Sequence, residues 1–340
     1  MPTGRSTRRM LFKRSVNVVI TILGIMTLNF FLIHFMPGDP IANMIPRDPK
    51  FPEELKWALM EQFNLNDSLP VAYITYMKNT FTGEWGQSYI ERRDVFDIIM
   101  GDMRWTILLV GTATVITLLL GMVMGAYAAY RRGGPFDVAS TGISLFFYGM
   151  PIFWFALILQ LLFSSYPLGM NWWPQLPTGG YFDTLDPDLG STFEWTPGHV
   201  LSVMEHMILP ATTMAIGSLA GVALVMRSSL IDVMTEDFIM TARAKGLTDY
   251  QVLRHHALRN GMPPMVALIA MSIAFIIGGA YQVEVIFNYK GIGYRTLSAI
   301  ENRDFPILQF IVVIGGVAVV IANFVADLVL VYIDPRVKIV

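Results

Sequence analysis

The chain has 340 residues, no cysteine and a formal net charge of −2. Of its residues 54% are hydrophobic and only 15% are charged, against about a quarter charged in soluble domains, and the mean hydropathy is +0.52. This composition points to a membrane. It excludes disulfides, thiolate metal sites and cysteine nucleophiles, and gives no reason to expect a nucleic-acid partner.

Residues 1–15 form a basic tail carrying Arg5, Arg8, Arg9, Lys13 and Arg14. The tail is similar to the basic region of a signal peptide. The apolar run 16–36 behind it, however, is about as long as a bilayer is thick and ends without a small-residue cleavage pattern, so we read it as a retained first span. Segment 37–104 follows. Within it "FPEELKWALMEQFNLN" places Pro52 and two acids, Glu53 and Glu54, at the start of a helix, with Leu55, Leu59 and Phe63 four apart; this predicts an amphipathic helix. "TGEWG" reads as a turn and "RRDVFDIIM" as a second helix leading into the next span. Such a segment can cap a pore mouth, receive a delivery protein, or be a packed ectodomain without a dedicated role.

Further spans are expected at 105–130, 138–163, 205–227, 264–287 and 307–333, each near the ~20 residues a crossing helix needs. The start of the fourth is irregular, because Glu205, His206 and Pro210 lie there. Gly121 with Gly125, and Gly217 with Gly221, have the spacing that lets helix backbones approach, a packing role rather than a ligand one. Pro151 should kink the third span, as a gating element or as a merely tolerated bend.

Lys and Arg set orientation. The N-terminal tail, Arg131 and Arg132, the segment "TARAKGLTDYQVLRHHALRN" and the end with Arg336 and Lys338 are basic, whereas the connection 164–204 has no Lys or Arg and carries Asp183, Asp186, Asp188 and Glu194. Six spans with both termini in the cytoplasm fit this pattern, with 335–340 as the C-terminal tail. Lys290, Arg295 and Arg303 would then lie outside, against the rule.

The chain has no GxxxxGK[ST] loop, HExxH or GxSxG motif, so ATP hydrolysis, zinc peptidase and serine hydrolase chemistry have no visible machinery. His34, His199, His206, His255 and His256 lack metal-ligand spacing, and no metal site is expected. Ionisable and polar groups inside spans suggest function. Glu284 lies near the end of the fifth span; Asn323 and Asp327, four apart on one face of the sixth, either line a path or tie helices together. No series of carboxylates resembles a proton relay, which weakens an ion-coupled carrier as an alternative.

The loop 228–263 is the most informative feature. Glu236 and Asp237 open a short helix, Gly246 interrupts or ends it, and Thr248 or Asp249 starts another. The result is an elbow of two short helices, serving either as a docking surface or as a basic patch against anionic headgroups.

"DFIMTARAKGLTDYQVLRHHALRNGMPP" resembles the cytoplasmic-loop motif of ABC importer permeases of the dipeptide/oligopeptide/nickel class. "FFLIHFMPGDP", "LMEQFNLNDSLPVAYITYMKNTFTGEWGQSY", "GAYAAYRRGGPFD", "VEVIFNYKGIGY", "NRDFPILQ" and "YIDPR" resemble that family in order, so the resemblance covers nearly the whole chain. It implies an all-α polytopic membrane protein, six helices of the type I importer kind, with 37–104 extracytoplasmic and 105–334 as the permease core. It also implies a prokaryotic inner or plasma membrane, with partners: a homologous second permease, two cytoplasmic ATPases that bind ATP and Mg, an extracytoplasmic binding protein, and lipid. The chain itself is then neither an enzyme nor a cofactor binder. Ala242, Arg243, Ala244, Lys245 and Gly246 match the motif core, followed by Leu247, with Asp249 close behind, and the motif forms a coupling helix. Met240 and Thr241 stand where the broader motif has Glu and Ala, so an ion pair made by that Glu is in doubt. Peptides are the first substrate class; oligosaccharides, nickel and glutathione are alternatives within the class.

Overall fold

The computed structural model describes residues 4–35, 67–163, 175–183 and 193–333. The expected amphipathic helix beginning at Pro52 falls outside them, as do Asp186 and Asp188. The regular structure of the described residues is helical, apart from an isolated antiparallel bridge between Gln87 and Asp94. Among the described residues four helices are long and apolar enough to cross a membrane, and counting each of two bent pairs as one span gives six.

α1 (Gly4–His34) is the first crossing helix. α2 (Leu69–Thr82) has Pro70 in its first turn and ends at Gly83, whose φ of +79° only glycine adopts at little cost. α3 (Val95–Tyr130) starts at Asp94, whose carboxylate accepts the Phe96 N–H at 2.8 Å. "RRDVFDIIM" is thus the first part of a single 36-residue helix of about 54 Å, well beyond the ~30 Å hydrocarbon core. It projects from the membrane at one end.

The third span is broken. α4 (Pro135–Tyr148) and α5 (Ile152–Phe163) meet at a 99° bend. Pro151 sits outside both helices, and its carbonyl accepts the first amides of α5, from Trp154 and Phe155. The kink expected at Pro151 is therefore a full interruption, because proline also disfavours helical backbone in the residue before it. α6 (Pro197–Val233) runs unbroken through Pro210, and its Thr196 cap accepts the His199 N–H. The irregular start read at Glu205 lies inside this helix. His206 there is buried and its Nδ1 bonds the Ser202 carbonyl at 2.8 Å, so a polar side chain is accommodated by its own preceding turn.

α7 (Asp237–Ala244) and α8 (Asp249–Gly261) form the elbow, and α9 (Pro263–Gly278) leaves α8 at 56°. α9 stops well short of residue 287. Glu284 belongs instead to a separate short helix, α10 (Tyr281–Ile286), followed by α11 (Ile292–Asn302) and α12 (Phe305–Ile333).

Two helix pairs organise the bundle. α3 and α6 lie parallel: Thr117 meets Ala215, Gly121 meets Val222 and Gly125 meets Ala223 and Met226. A Cβ on Gly121 would come within 2.7 Å of Val222 and one on Gly125 would strike Ala223, so this glycine pair sets how closely the helices approach. Gly217 and Gly221 face Ile152 and Tyr148 at a looser 3.6 and 3.9 Å. α1 and α12 lie antiparallel, with Asn29 bonded to the Gln309 carbonyl at 3.2 Å, Ile25 against Gly316, and Arg14 paired with Asp327 at 2.5 Å. Because Ile98 and Ile99 of α3 share a core with Phe305 and Leu308 of α12, α3, α6 and α12 all run the same way. The start of α1, the end of α12 and the elbow therefore share one end of the bundle; α2, α10 and α11 lie at the other.

Candidate functional site

The elbow is built by two helix caps placed back to back. At the end of α7 the Leu247 N–H bonds the Ala242 carbonyl and the Gly246 N–H bonds the Arg243 carbonyl, the paired 6→1 and 5→2 bonds of a Schellman cap. The cap needs a left-handed residue, and Gly246 has φ +84°. Leu247 packs into the same apolar cluster as Ala242. At the very next residue Thr248 caps α8: its side chain accepts from the Gln251 N–H, while Gln251 accepts from the Thr248 N–H at 2.9 Å, a capping box. Arg243 closes the corner through Asp249 at 3.2 Å. The turn is specified from both sides, so the elbow is stiff.

The elbow divides the motif residues into two sets. Ile239, Ala242, Val252, Leu253 and Ala257 are buried with Ala129 of α3, Met226 and Leu230 of α6 and Met265 of α9. Ala244, Lys245, Asp249 and Thr241 are exposed, as are Phe238, Tyr250 and Met240, the last at 64%. The outer surface thus mixes cations with apolar side chains and has no cover from the described residues. Met240, the departure from the wider motif, is exposed rather than part of the elbow's own core. One turn of α8, Leu253–Ala257, is a wide π turn. It rephases the helix, keeping Leu253 and Ala257 inward and Arg254 and His255 outward. His255 bonds the Gln251 carbonyl at 3.1 Å, and no metal-binding group of His, Asp and Glu occurs among the described residues. The Ser229 hydroxyl bonds the Gly261 carbonyl at 2.8 Å, strapping the end of α8 to α6.

The remaining candidates lie elsewhere. Asp327 is tied to Arg14, and Asn323 is exposed on α12. Glu284 is fully buried at the opposite end. It accepts from the Thr106 hydroxyl at 3.0 Å, the Ala280 N–H at 3.3 Å and the Tyr294 N–H at 3.0 Å. Thr106 in turn accepts the Ile292 N–H at 2.7 Å. Gly291 and Gly293 make this possible: a Cβ on Gly291 would strike Thr106 and one on Gly293 would strike Tyr281. The glycines of "KGIGY" were the available sign of so close an approach.

Two polar clusters went unseen in the sequence. Arg295 binds Asp102 at 2.6 Å and also Glu91. Ser88 donates to Asp304 at 2.5 Å, and the Tyr89 N–H to the same carboxylate at 3.1 Å. Burial raises the Asp304 carboxyl above its ordinary pKa against these bonds, and burial with the nearby Asp304 raises the Tyr89 phenol. Around Trp105 gathers an aromatic group, with Tyr181 stacked at 4.4 Å and Phe193 edge-on at 5.1 Å. These partners are distant in sequence, so neither periodicity nor local spacing could pair them.

The model of the binding-protein-dependent transport system inner membrane component matches residues 120–339, and that of its N-terminal component matches 7–110. The chain belongs to this family. It is 32% identical to the oligopeptide transport system permease protein AppB of Bacillus subtilis (strain 168), over 96% of this chain and 98% of that one. It is also 32% identical to the dipeptide transport system permease protein DppB of Escherichia coli (strain K12), over 94% and 96%. Among solved structures, the MetNI methionine ABC transporter in an inward-facing conformation matches with a TM-score of 0.51 at 13% identity, covering 70% of this chain and 97% of that one, a likeness of fold. Like other members of the family, this chain is a membrane-embedded transport permease of the ABC importer type.

Proposed function

We propose that this permease forms half of an ATP-driven pore importing short peptides, with the α7–α8 elbow docked on cytoplasmic ATPases. The elbow carries the reading: a corner fixed by two caps, cored on α3, α6 and α9, with an uncovered outer face. A push on such a corner moves three helix ends together, which is rigid-body coupling biased by nucleotide binding on a partner. ATP and Mg bind to those ATPases, and a homologous second permease completes the pore. An extracytoplasmic binding protein delivers substrate at the opposite end. Peptides are favoured by the two relatives, whose names specify oligopeptide and dipeptide transport.

The termini and elbow face the cytoplasm. Arg131, Arg132, Lys245, Arg254 and Arg259 gather at that end, as the positive-inside rule requires. Arg295, which argued against this orientation, is neutralised by Asp102 and Glu91.

The test is Lys245→Glu in the complex with its co-purifying subunits, because Lys245 is exposed and its reversal leaves the core intact. ATP-driven uptake of a labelled dipeptide should fall at least about tenfold, a loss equivalent to ~1.4 kcal/mol of coupling, with the amount of folded permease unchanged. Unchanged uptake, or a chain that purifies with no ATPase, would overturn the docking role.

A further inference from the structure

Between α3, α6 and α9 lies a cleft of about 330 Å³ lined by Thr114, Thr117, Ser218, Gly221, Ser272 and Phe275 among others. Its walls are mostly apolar, with four hydroxyls and no charged side chain. The Ser272 hydroxyl donates to the Leu268 carbonyl at 2.9 Å and the Thr117 hydroxyl to the Ala215 carbonyl at 3.4 Å. A hydroxyl that has given its proton to its surroundings still offers acceptor lone pairs. Ser218 is exposed and Thr114 half-buried, and neither hydroxyl is hydrogen-bonded to another described residue. The cleft therefore presents acceptors suited to N–H donors, in a space at the lower end of the roughly 300–1,000 Å³ range of ligand pockets.

Three carboxylates of the helices are engaged elsewhere. Asp327 is paired with Arg14, Asp137 with Arg227, and Glu284 is enclosed by Thr106 and backbone amides. The mechanical setting is also specific. α6 ends at Val233 where the elbow begins, and α9 starts at Pro263 where it ends. Two of the three walls are thus the helices on either side of the elbow, which connects the cleft mechanically to that corner.

Resting on the permease reading above, we propose that this cleft is this subunit's wall of the translocation path. Thr114, Ser218 and Ser272 hydrogen-bond the backbone amides of a passing peptide whatever its side-chain charge. A neutral acceptor surface satisfies amide N–H groups that would otherwise be unpaired away from water and holds no side chain by fixed charge.

The chain has no cysteine, so single cysteines can be placed without background from this subunit, and labelling is read on this chain's own band. Thr114→Cys, Ser218→Cys and Ser272→Cys are compared with Val115→Cys and Ile273→Cys, whose wild-type residues are exposed neighbours of the first and third sites on α3 and α9. Each complex, reconstituted with its co-purifying subunits, is treated with a charged, membrane-impermeant methanethiosulfonate. Because that reagent needs a thiolate, which a lipid-facing thiol does not form, the cleft positions should react at least about tenfold faster than the controls. Their modification should block uptake of radiolabelled dialanine. Equal or slower reaction than the controls overturns the cleft assignment, as does uptake that persists after complete modification. ATP-driven dialanine uptake by the unmodified wild-type complex is scored separately: its absence sinks the peptide-importer reading, whereas its presence with uniform labelling sinks the cleft alone.

Discussion

Arg14 of α1 reaches Asp327 of α12 at 2.5 Å, with both side chains only about one-third exposed, at 32% and 27%. The pair closes an antiparallel helix pair at the end where α1 starts and α12 finishes. It lies between an exposed ion pair and a buried one, so its loss should cost about 1–3 kcal/mol. Asp327→Asn should lower the thermal stability of the detergent-purified permease. The double variant Arg14→Asp with Asp327→Arg should recover most of that loss, and failure to recover would mean that the geometry, not the charge pairing, is at stake.

Gly246 has open space where a Cβ would go and a φ of +84°. Its substitution is therefore a backbone matter. Gly246→Ala should cost roughly 1–2 kcal/mol, and Gly246→Asn less, since asparagine tolerates the left-handed region. Thermal unfolding of both variants checks the order; Asn as costly as Ala would show that the Schellman cap is not the constraint.

Ala242 and Ala244 are two residues apart and separate folding from docking. Ala242 is buried in the elbow core, so Ala242→Leu should overpack it and cost about 1–3 kcal/mol. Ala244 is exposed, so Ala244→Leu should stay within about 0.5 kcal/mol of wild type while weakening retention of the ATPases in a pull-down. The same assay with Met240→Glu reports on the outer face alone, and its melting temperature should match wild type.

Glu284 accepts hydrogen bonds from the Thr106 hydroxyl and the Ala280 and Tyr294 amides. Glu284→Gln would turn an NH₂ group toward some of these donors, leaving buried groups unpaired at about 1–3 kcal/mol each. Folded yield should fall more for Glu284→Gln than for Ser298→Ala on the outer helix α11. Equal yields would remove Glu284 from the list of structural ties.

Much of the architecture was readable because long apolar runs, caps and glycine spacings act locally. The elbow's bend, the basic end and the Gly121–Gly125 contact all follow from residues close in sequence. What escaped was long-range pairing. Nothing near Arg295 announces Asp102 or Glu91, so its charge looked misplaced until the fold neutralised it. Glu284 was placed at the end of a span because hydropathy does not register the helix break at Gly279, where φ is +76°. Within the motif, which matched Ala242 and Ala244 alike, Ala242 faces inward and Ala244 outward, a distinction that depends on the core beneath them.

α6 is one helix of 37 residues from the aromatic end to the elbow. It behaves as a lever about 55 Å long, with no loop along it to absorb a displacement. Proline at Pro210 deletes one rung of its backbone ladder, so bending compliance is concentrated there. Any bending of α6 is therefore easiest at Pro210, between the elbow at Val233 and the aromatic cluster that holds His199.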